Sequence, residues 1–111
     1  KPDQLSGGMR KRAALARAMV LEPEILLCDE PVAGLDPTSA AEIDDLLLTI
    51  NKESGTTLLI VTHDLLSINR INGNLLMLDD GHVIFQGSRD EALQSNAPKV
   101  YSFFHPGNTD D

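Results

Sequence analysis

One short apolar run limits the folds open to this chain more than any other feature. Residues 25–28 are apolar at every position, and Pro23 and Pro31 bound the run. A short apolar run without alternation is typical of a strand buried on both faces, as in a parallel sheet. Asp29 and Glu30 follow it directly. Because ligands of open parallel sheets bind just beyond the carboxyl ends of the strands, we expect a site there.

The rest of the chain reads as alternating helices and strands. Two longer helices are predicted over residues 6–21 and about 38–53. A short helix follows Asp64 and ends at about Arg70, and another runs from Ser88 to about Ser95. The remaining strands are predicted over residues 57–61, 75–78 and 82–85. The first helix is apolar on several sides, so we expect it to be largely buried. Ser39 and Glu42 have capping-box spacing at the start of the second helix. This order predicts an α/β fold, mainly a parallel sheet with flanking helices, with an antiparallel hairpin around Asp80-Gly81 at one edge.

Composition excludes several classes of protein. The chain has 111 residues, which allows one small domain. A net charge of −8 argues against a DNA-binding domain held by a general basic surface. No apolar run is long enough to cross a bilayer, and the single cysteine cannot form an internal disulfide.

Asp29 and Glu30 are the strongest candidates for chemistry. One carboxylate at the end of a strand can hold Mg²⁺ directly or through water, and its neighbour can orient and deprotonate an attacking water. A solvated strand end followed by a turn at Pro31 explains the same residues without chemistry. His63 follows the second predicted strand by two residues and is expected beyond the same edge of the sheet, where it could contact a phosphate or the water.

A second candidate site opens the first helix. Ser6, Gly7 and Gly8 precede its apolar seam. A helix N-terminus exposes unpaired N–H groups and the positive end of the dipole, which suits a phosphate, and two glycines allow close approach to the backbone. Read alone, these residues are more simply a helix cap and a turn.

Taken together, the motifs closely resemble the second half of an ATP-binding cassette (ABC) ATPase. The order is Leu-Ser-Gly-Gly at residues 5–8, an apolar strand ending in Asp29-Glu30-Pro31, Gly-Leu-Asp-Pro at residues 34–37, and a strand leading to Thr62-His63-Asp64. The intervals are similar to those of the family's signature, Walker B, D-loop and switch-histidine motifs. The resemblance extends over nearly the whole chain to about residue 95, and it implies a partial P-loop NTPase (ABC ATPase) fold.

The resemblance implies roles for the residues of the first site. Asp29 would support Mg²⁺, Glu30 would polarise the hydrolytic water, and His63 would reach the γ-phosphate of ATP. ATP and Mg²⁺ are therefore the implied cofactors.

The same resemblance implies that a second subunit takes part. Ser6, Gly7 and Gly8 would clasp the γ-phosphate of an ATP held by the opposite subunit, and Asp36 would bridge the two subunits. The implied partners are a second ATPase subunit, as a homodimer, and transmembrane permease subunits. No nucleic acid is expected, and the implied place is the cytoplasmic face of the bacterial inner membrane, as a peripheral subunit.

A finer resemblance concerns the transported substrate. Met9 stands where the family often has Gln, and Arg10-Lys11-Arg12 follow it. Together with residues 33–37, this run is similar to the ATPases of bacterial phospholipid transporters of the Mla and Mce type. Phospholipid or organic-solvent transport is the expectation that follows. A basic flank of a solvated helix accounts for the same residues.

No Gly-x-x-x-x-Gly-Lys-Ser/Thr string occurs in the chain, so it has no P-loop to hold the phosphates. We therefore expect this polypeptide alone not to hydrolyse ATP, and we expect residues 1–95 to form the C-terminal part of an ABC ATPase domain, with residues 96–111 as a tail. The alternatives are a soluble ABC-class ATPase of DNA repair or translation, and an inactive remnant.

Overall fold

The computed structural model describes residues 6–107, and these divide into two compact units, one through Arg70 and one from Ile71 onward. The elements run in the order α1 (Gly7–Met19), β1 (Ile25–Asp29), α2 (Pro37–Ser54), β2 (Thr57–Val61), α3 (Leu65–Ile71), β3 (Leu75–Asp79), β4 (His82–Gly87), α4 (Arg89–Leu93) and α5 (Pro98–Phe104). Among these elements, no helix has the length and apolar character needed to cross a bilayer. The predicted α/β class, with parallel strands and an antiparallel hairpin, is confirmed.

The first unit is built on one parallel pair of strands. β1 and β2 pair in the register Ile25↔Thr57 to Asp29↔Val61. Parallel neighbours need a crossover connection, and α2 provides it. The buried residues of this unit include Leu26 and Cys28 of β1 together with Val32, Ala40, Ile43 and Leu47.

The prediction that β1 is buried on both faces is wrong for this chain. Burial alternates along β1, with Leu26 and Cys28 buried and their neighbours exposed. The parallel register places Leu27 beside Leu59 on the other face, and these side chains are 65% and 58% exposed. The described residues therefore cover one face of the pair and leave an apolar surface on the other. We call the latter the open sheet face; it consists of residues 25, 27 and 29 of β1 and 57, 59 and 61 of β2.

The first helix is also less buried than its sequence predicts. Within α1 only Gly8 is buried, and Val20 and Leu21, just beyond its end, are exposed. α1 ends two residues earlier than predicted, with Val20 as its C-cap. The described chain covers the apolar residues of the helix only in part, since Leu15, Ala18 and Met19 are half-buried whereas Met9, Ala13 and Ala16 are exposed.

The second unit consists of the predicted hairpin and two short helices. β3 and β4 are antiparallel and form a two-stranded sheet of their own. Asp80 and Gly81 both have positive φ, as a two-residue type I′ turn requires. The predicted capping box of α4 is confirmed, because Ser88 Oγ accepts from the Glu91 N–H and Glu91 Oε1 accepts from the Ser88 N–H. Lys99 of α5 forms an ion pair with Asp79 at the end of β3.

Candidate active site

The carboxylate of Glu30 and the ring of His63 are in direct contact. His63 Nδ1 lies 2.7 Å from Glu30 Oε2, and Thr62 Oγ1 donates to Glu30 Oε1 at 3.4 Å. Glu30 follows the last residue of β1, and Thr62 follows the last residue of β2. The strands are parallel and in register to their ends, so both chain segments leave the sheet at the same edge. The structure thus brings together two residues that the sequence predicted for one site.

The backbone at Glu30 is held in an uncommon conformation. Its φ is +50°, which is unusual for a residue other than glycine. Three hydrogen bonds hold it. The Glu30 N–H donates to the Val61 carbonyl at 2.7 Å, and the Glu30 carbonyl accepts from the Ala33 N–H at 3.2 Å and from Lys11 Nζ at 3.4 Å. Strained residues of this kind persist where their surroundings fix them, and they concentrate at functional sites. This positive φ lies at the residue where the chain leaves β1.

The contact with Glu30 changes the acidity of His63. The hydrogen bond to Glu30, and then the negative charge of that carboxylate, raise the pKa of His63 above its ordinary value of 6.5. The His63 side chain is otherwise exposed to solvent. Because Nδ1 is engaged by Glu30, Nε2 is the ring nitrogen left for a substrate oxygen, and protonation makes it a donor.

Asp29 lies at the end of the open sheet face, and its side chain is exposed. In residues 6–107 no group of three or more His, Cys, Asp or Glu side chains is arranged to hold a metal ion. One exposed carboxylate fits a Mg²⁺ ion that keeps several of its waters and is otherwise held by substrate phosphates. Asp29 lies next to Glu30 at the strand end, where the sequence analysis expects it to support Mg²⁺.

The start of α1 packs against the loop that leads into α2. Ser6 is the N-cap of α1, and its Oγ accepts from the Met9 N–H at 3.0 Å. A Cβ placed on Gly7 would lie 2.8 Å from Leu35 Cδ2, and one on Gly8 would lie 3.4 Å from Ser39 Cβ. Leu5, the first residue of the motif, lies outside the described residues. The glycines therefore have a packing role, in addition to the phosphate-binding role that the sequence predicts for them.

Asp36 has a clear structural task as the N-cap of α2. Its Oδ2 accepts from the Ser39 N–H at 3.2 Å, and Pro37 occupies the first turn. Hydrogen bonding from the Ser39 hydroxyl, and then from the Ser39 N–H, lowers the pKa of Asp36 below its ordinary value. The capping box predicted for Ser39 and Glu42 is therefore wrong, because Ser39 lies in the first turn and supplies the N–H that Asp36 caps.

The structure adds two neighbours of Glu30 that the sequence analysis did not single out, Lys11 and Thr62. Thr62 directly precedes His63 in the sequence, so a contact between His63 and Glu30 also brings Thr62 close to Glu30. Lys11 lies one helical turn after Gly7 on α1, and its hydrogen bond to the Glu30 carbonyl joins residues 19 apart in the sequence.

The parallel strands, the acidic residues at their edge and the glycine-rich start of α1 are a segment of an α/β domain. Residues 1–33 match the family described as ABC transporter. CbiO1 from Clostridium perfringens, described as part of the ABC transporter complex cbiONQ, has a similar structure, with a TM-score of 0.77 and 37% identity over 94% of this chain and 42% of that one. The ATP-binding cassette MJ0796, solved as a dimer bound to ADP and Pi, gives a TM-score of 0.66 at 40% identity over 79% of this chain and 38% of that one.

Curated proteins with similar sequences carry the same kind of name. The probable ribonucleotide transport ATP-binding protein mkl of Mycobacterium tuberculosis is 45% identical over 94% of this chain and 29% of its own length. The methionine import ATP-binding protein MetN of Clostridioides difficile is 42% identical over 86% of this chain and 30% of its own length. In sequence and in fold, the chain is thus related to the ATP-binding proteins of ABC transporters. It spans less than a third of the length of these curated relatives.

Proposed function

We propose that this chain supplies the hydrolytic half-site and the phosphate-clasping half-site of an ABC-type ATPase that binds Mg²⁺ and ATP. The 2.7 Å contact between His63 and Glu30 is the observation that carries the proposal. A carboxylate held at the end of a strand, beside a histidine with a raised pKa, forms with that histidine a chemically suitable pair for activating water next to a phosphate.

The chemistry of these side chains follows from their contacts. Glu30 accepts a proton from the attacking water, while the contacts with His63 and Thr62 fix the direction of its carboxylate. His63 donates from Nε2 to an oxygen of the terminal phosphate. Mg²⁺ bound at Asp29 would neutralise phosphate charge and orient the triphosphate.

The open sheet face supports the idea that a P-loop segment belongs with this chain. Leu27 and Leu59 are mostly exposed there, and Asp29 lies at the end of the same face. Exposed apolar patches of this kind mark interaction surfaces. We write "completed ATPase" for a polypeptide in which a P-loop-bearing segment precedes this chain.

The phosphate-clasping residues act, in this proposal, on a nucleotide held by a second subunit. Ser6, Gly7 and Gly8 make their described contacts with Met9, Leu35 and Ser39, at the start of α1 and α2. The Glu30–His63 pair is built on the strand ends instead. Two such half-sites on one subunit suit a symmetric dimer. In that dimer, the clasp of each subunit faces the Glu30–His63 pair of the other.

Mixing two inactive variants tests this arrangement. In the completed ATPase, Glu30→Gln removes the general base and Ser6→Arg blocks the clasp, so each homodimer is inactive. A heterodimer of the two has one intact composite site, so a 1:1 mixture should recover about a quarter of the normal turnover. A mixture as inactive as its components would contradict a shared site, and substantial turnover by the Glu30→Gln homodimer alone would contradict the role of Glu30.

We further propose that the completed ATPase is a peripheral subunit of a bacterial phospholipid transporter, bound to permease subunits on the cytoplasmic side of the inner membrane. The support is the Met9 to Arg12 run and residues 33–37 of the sequence. The test is ATPase activity of the purified transporter complex in detergent with added phosphatidylglycerol, methionine or a ribonucleotide other than ATP. Stimulation by the phospholipid alone is the expected result, and stimulation by either of the other two would contradict the substrate class.

A further inference from the structure

A carboxylate outside the site described above is completely buried. Asp44, in the middle of α2, has 0% exposure. Its Oδ2 accepts from Ser67 Oγ at 2.8 Å and from Arg70 Nη1 at 2.7 Å, and both donors belong to α3. Its Oδ1 is buried with no hydrogen-bond partner in the described structure. Burying a carboxylate is costly even when it is paired, and replacing a buried ion pair by apolar residues of similar volume is often neutral or stabilising.

Ser67 links this buried carboxylate to the start of α3. Its Oγ donates to Asp44, and its backbone N–H donates to Asp64 Oδ1 at 3.1 Å. Asp64 is the residue after His63, and its own N–H donates to Thr62 Oγ1 at 3.0 Å. Two consecutive hydrogen bonds therefore join residue 44 to the residue next to His63.

The two helices tied by Asp44 both begin at residues of the proposed site. α3 starts directly after Thr62, His63 and Asp64, and α2 starts at its N-cap Asp36. A fixed contact between these helices sets the position of the residues from which they begin. The Arg70 pair adds a second attachment one turn further along α3.

We propose that Asp44, with Ser67 and Arg70, is a positioning cluster that holds the first turn of α3 so that His63 meets Glu30. This rests on the proposed function only in so far as His63 acts in hydrolysis. Asp44 touches neither substrate nor reacting atoms, and it acts through Ser67 and Asp64.

The test compares Asp44→Asn with Asp45→Asn in the completed ATPase. Asp45 is the exposed neighbour on the same helix, so its variant makes the same change of charge without touching α3. The main readout is the ¹⁵N chemical shift of His63 Nδ1 at fixed pH, assigned with His63→Gln, because it reports the hydrogen bond to Glu30. The second is the division of any kinetic effect between kcat and KM.

We expect Asp44→Asn to move the His63 signal toward that of a free imidazole and to lower kcat roughly ten- to a hundredfold with little change in KM. Asp45→Asn should change neither quantity. Ser67→Ala, which keeps the backbone bond to Asp64 and removes only the side-chain bond, should shift the signal in the same direction and serves if Asp44→Asn does not fold.

The triple replacement Asp44→Leu, Ser67→Ala and Arg70→Leu separates positioning from stability, because it removes the charges and fills the space. If the cluster positions His63, the triple variant should have a higher melting temperature than Asp44→Asn, while its His63 signal stays displaced from that of the wild type. An unchanged signal in Asp44→Asn and in Ser67→Ala would overturn the proposal. Because the signal is read without turnover, failure of the proposed function, seen as normal hydrolysis by His63→Ala, would be distinguishable from failure of this cluster.

Discussion

Asp29 pairs with Val61 as the last registered pair of the two parallel strands, and this pairing places the candidate site. It puts Glu30 level with Thr62, one residue from His63, so the His63–Glu30 hydrogen bond forms across 33 residues of sequence. A shift of one residue in this register would turn every side chain of one strand to the other face. The chemistry of the site therefore depends on how α2 packs on the strands as much as on the motifs.

The contact with Glu30 predicts how stability varies with pH. The pKa of His63 is raised in the folded state. The contribution of its contact with Glu30 to the free energy of unfolding is therefore fully present below the ordinary pKa of 6.5, and it is lost as pH rises through the folded-state pKa. Unfolding in urea from about pH 5.5 to about pH 9 should show this decline in the wild-type chain and a smaller one in His63→Gln. His82→Gln, on β4, is the matched control and should keep the wild-type profile.

The cap of α2 predicts a loss of stability in Asp36→Ala. The variant leaves the Ser39 N–H without its acceptor and should lower the melting temperature, whereas Asp45→Ala on the exposed side of the same helix should change it little. The pKa of Asp36 is lowered in the folded state, so the difference between the wild type and Asp36→Ala should be present above the ordinary value of 3.8 and disappear as pH falls through the folded value. A difference that grows on acidification would contradict the cap.

The open sheet face predicts a difference between this chain and the completed ATPase. Leu59→Ala should cost less than about 1 kcal/mol of unfolding free energy in the 111-residue chain, because the side chain is mostly exposed there. In the completed ATPase it should cost roughly 2–5 kcal/mol, the usual range for a buried leucine. Leu47→Ala, fully buried in this chain, is the control and should be costly in both. Equal, small effects of Leu59→Ala in both proteins would show that nothing covers this face.

The turn of the hairpin predicts a specific need for glycine. Gly81 has a φ of +78°, which costs an L-residue roughly 1–2 kcal/mol, so Gly81→Ala should destabilise the chain by about that amount. Gly73, outside the positive-φ region, also has free space around it. Gly73→Ala should therefore be close to neutral in the same unfolding measurement, and an equal cost at both positions would argue against the type I′ turn.

Much of the fold followed from local signals. The apolar run of β1, the capping box at Ser88 and the turn at Asp80-Gly81 each predict their element, because hydrophobic pattern and turn chemistry agree there. The meeting of Glu30 and His63 was also predictable, since parallel strands end at one edge of the sheet. Local spacing misled at Ser39, where Asp36 followed by Pro37 was the better start signal.

Burial was the part that sequence could not settle. The apolar pattern of residues 25–28 predicts a strand covered on both faces, but pattern alone does not say which part of a protein does the covering. Asp44 is the opposite case, a charged residue that the structure buries. It is an acid beside the apolar stripe of α2, and its burial depends on Ser67 and Arg70, donors that lie more than twenty residues further along.

The most direct test of the account is the turnover of the completed ATPase with Glu30→Gln beside Glu53→Gln, an exposed glutamate of α2. Phosphate release under saturating ATP gives kcat, and equilibrium binding of nucleotide shows whether the site is intact. We predict that Glu30→Gln binds ATP and loses hydrolysis by roughly a hundredfold or more, while Glu53→Gln behaves as the wild type. Wild-type turnover by Glu30→Gln would contradict the assignment of Glu30 as the general base.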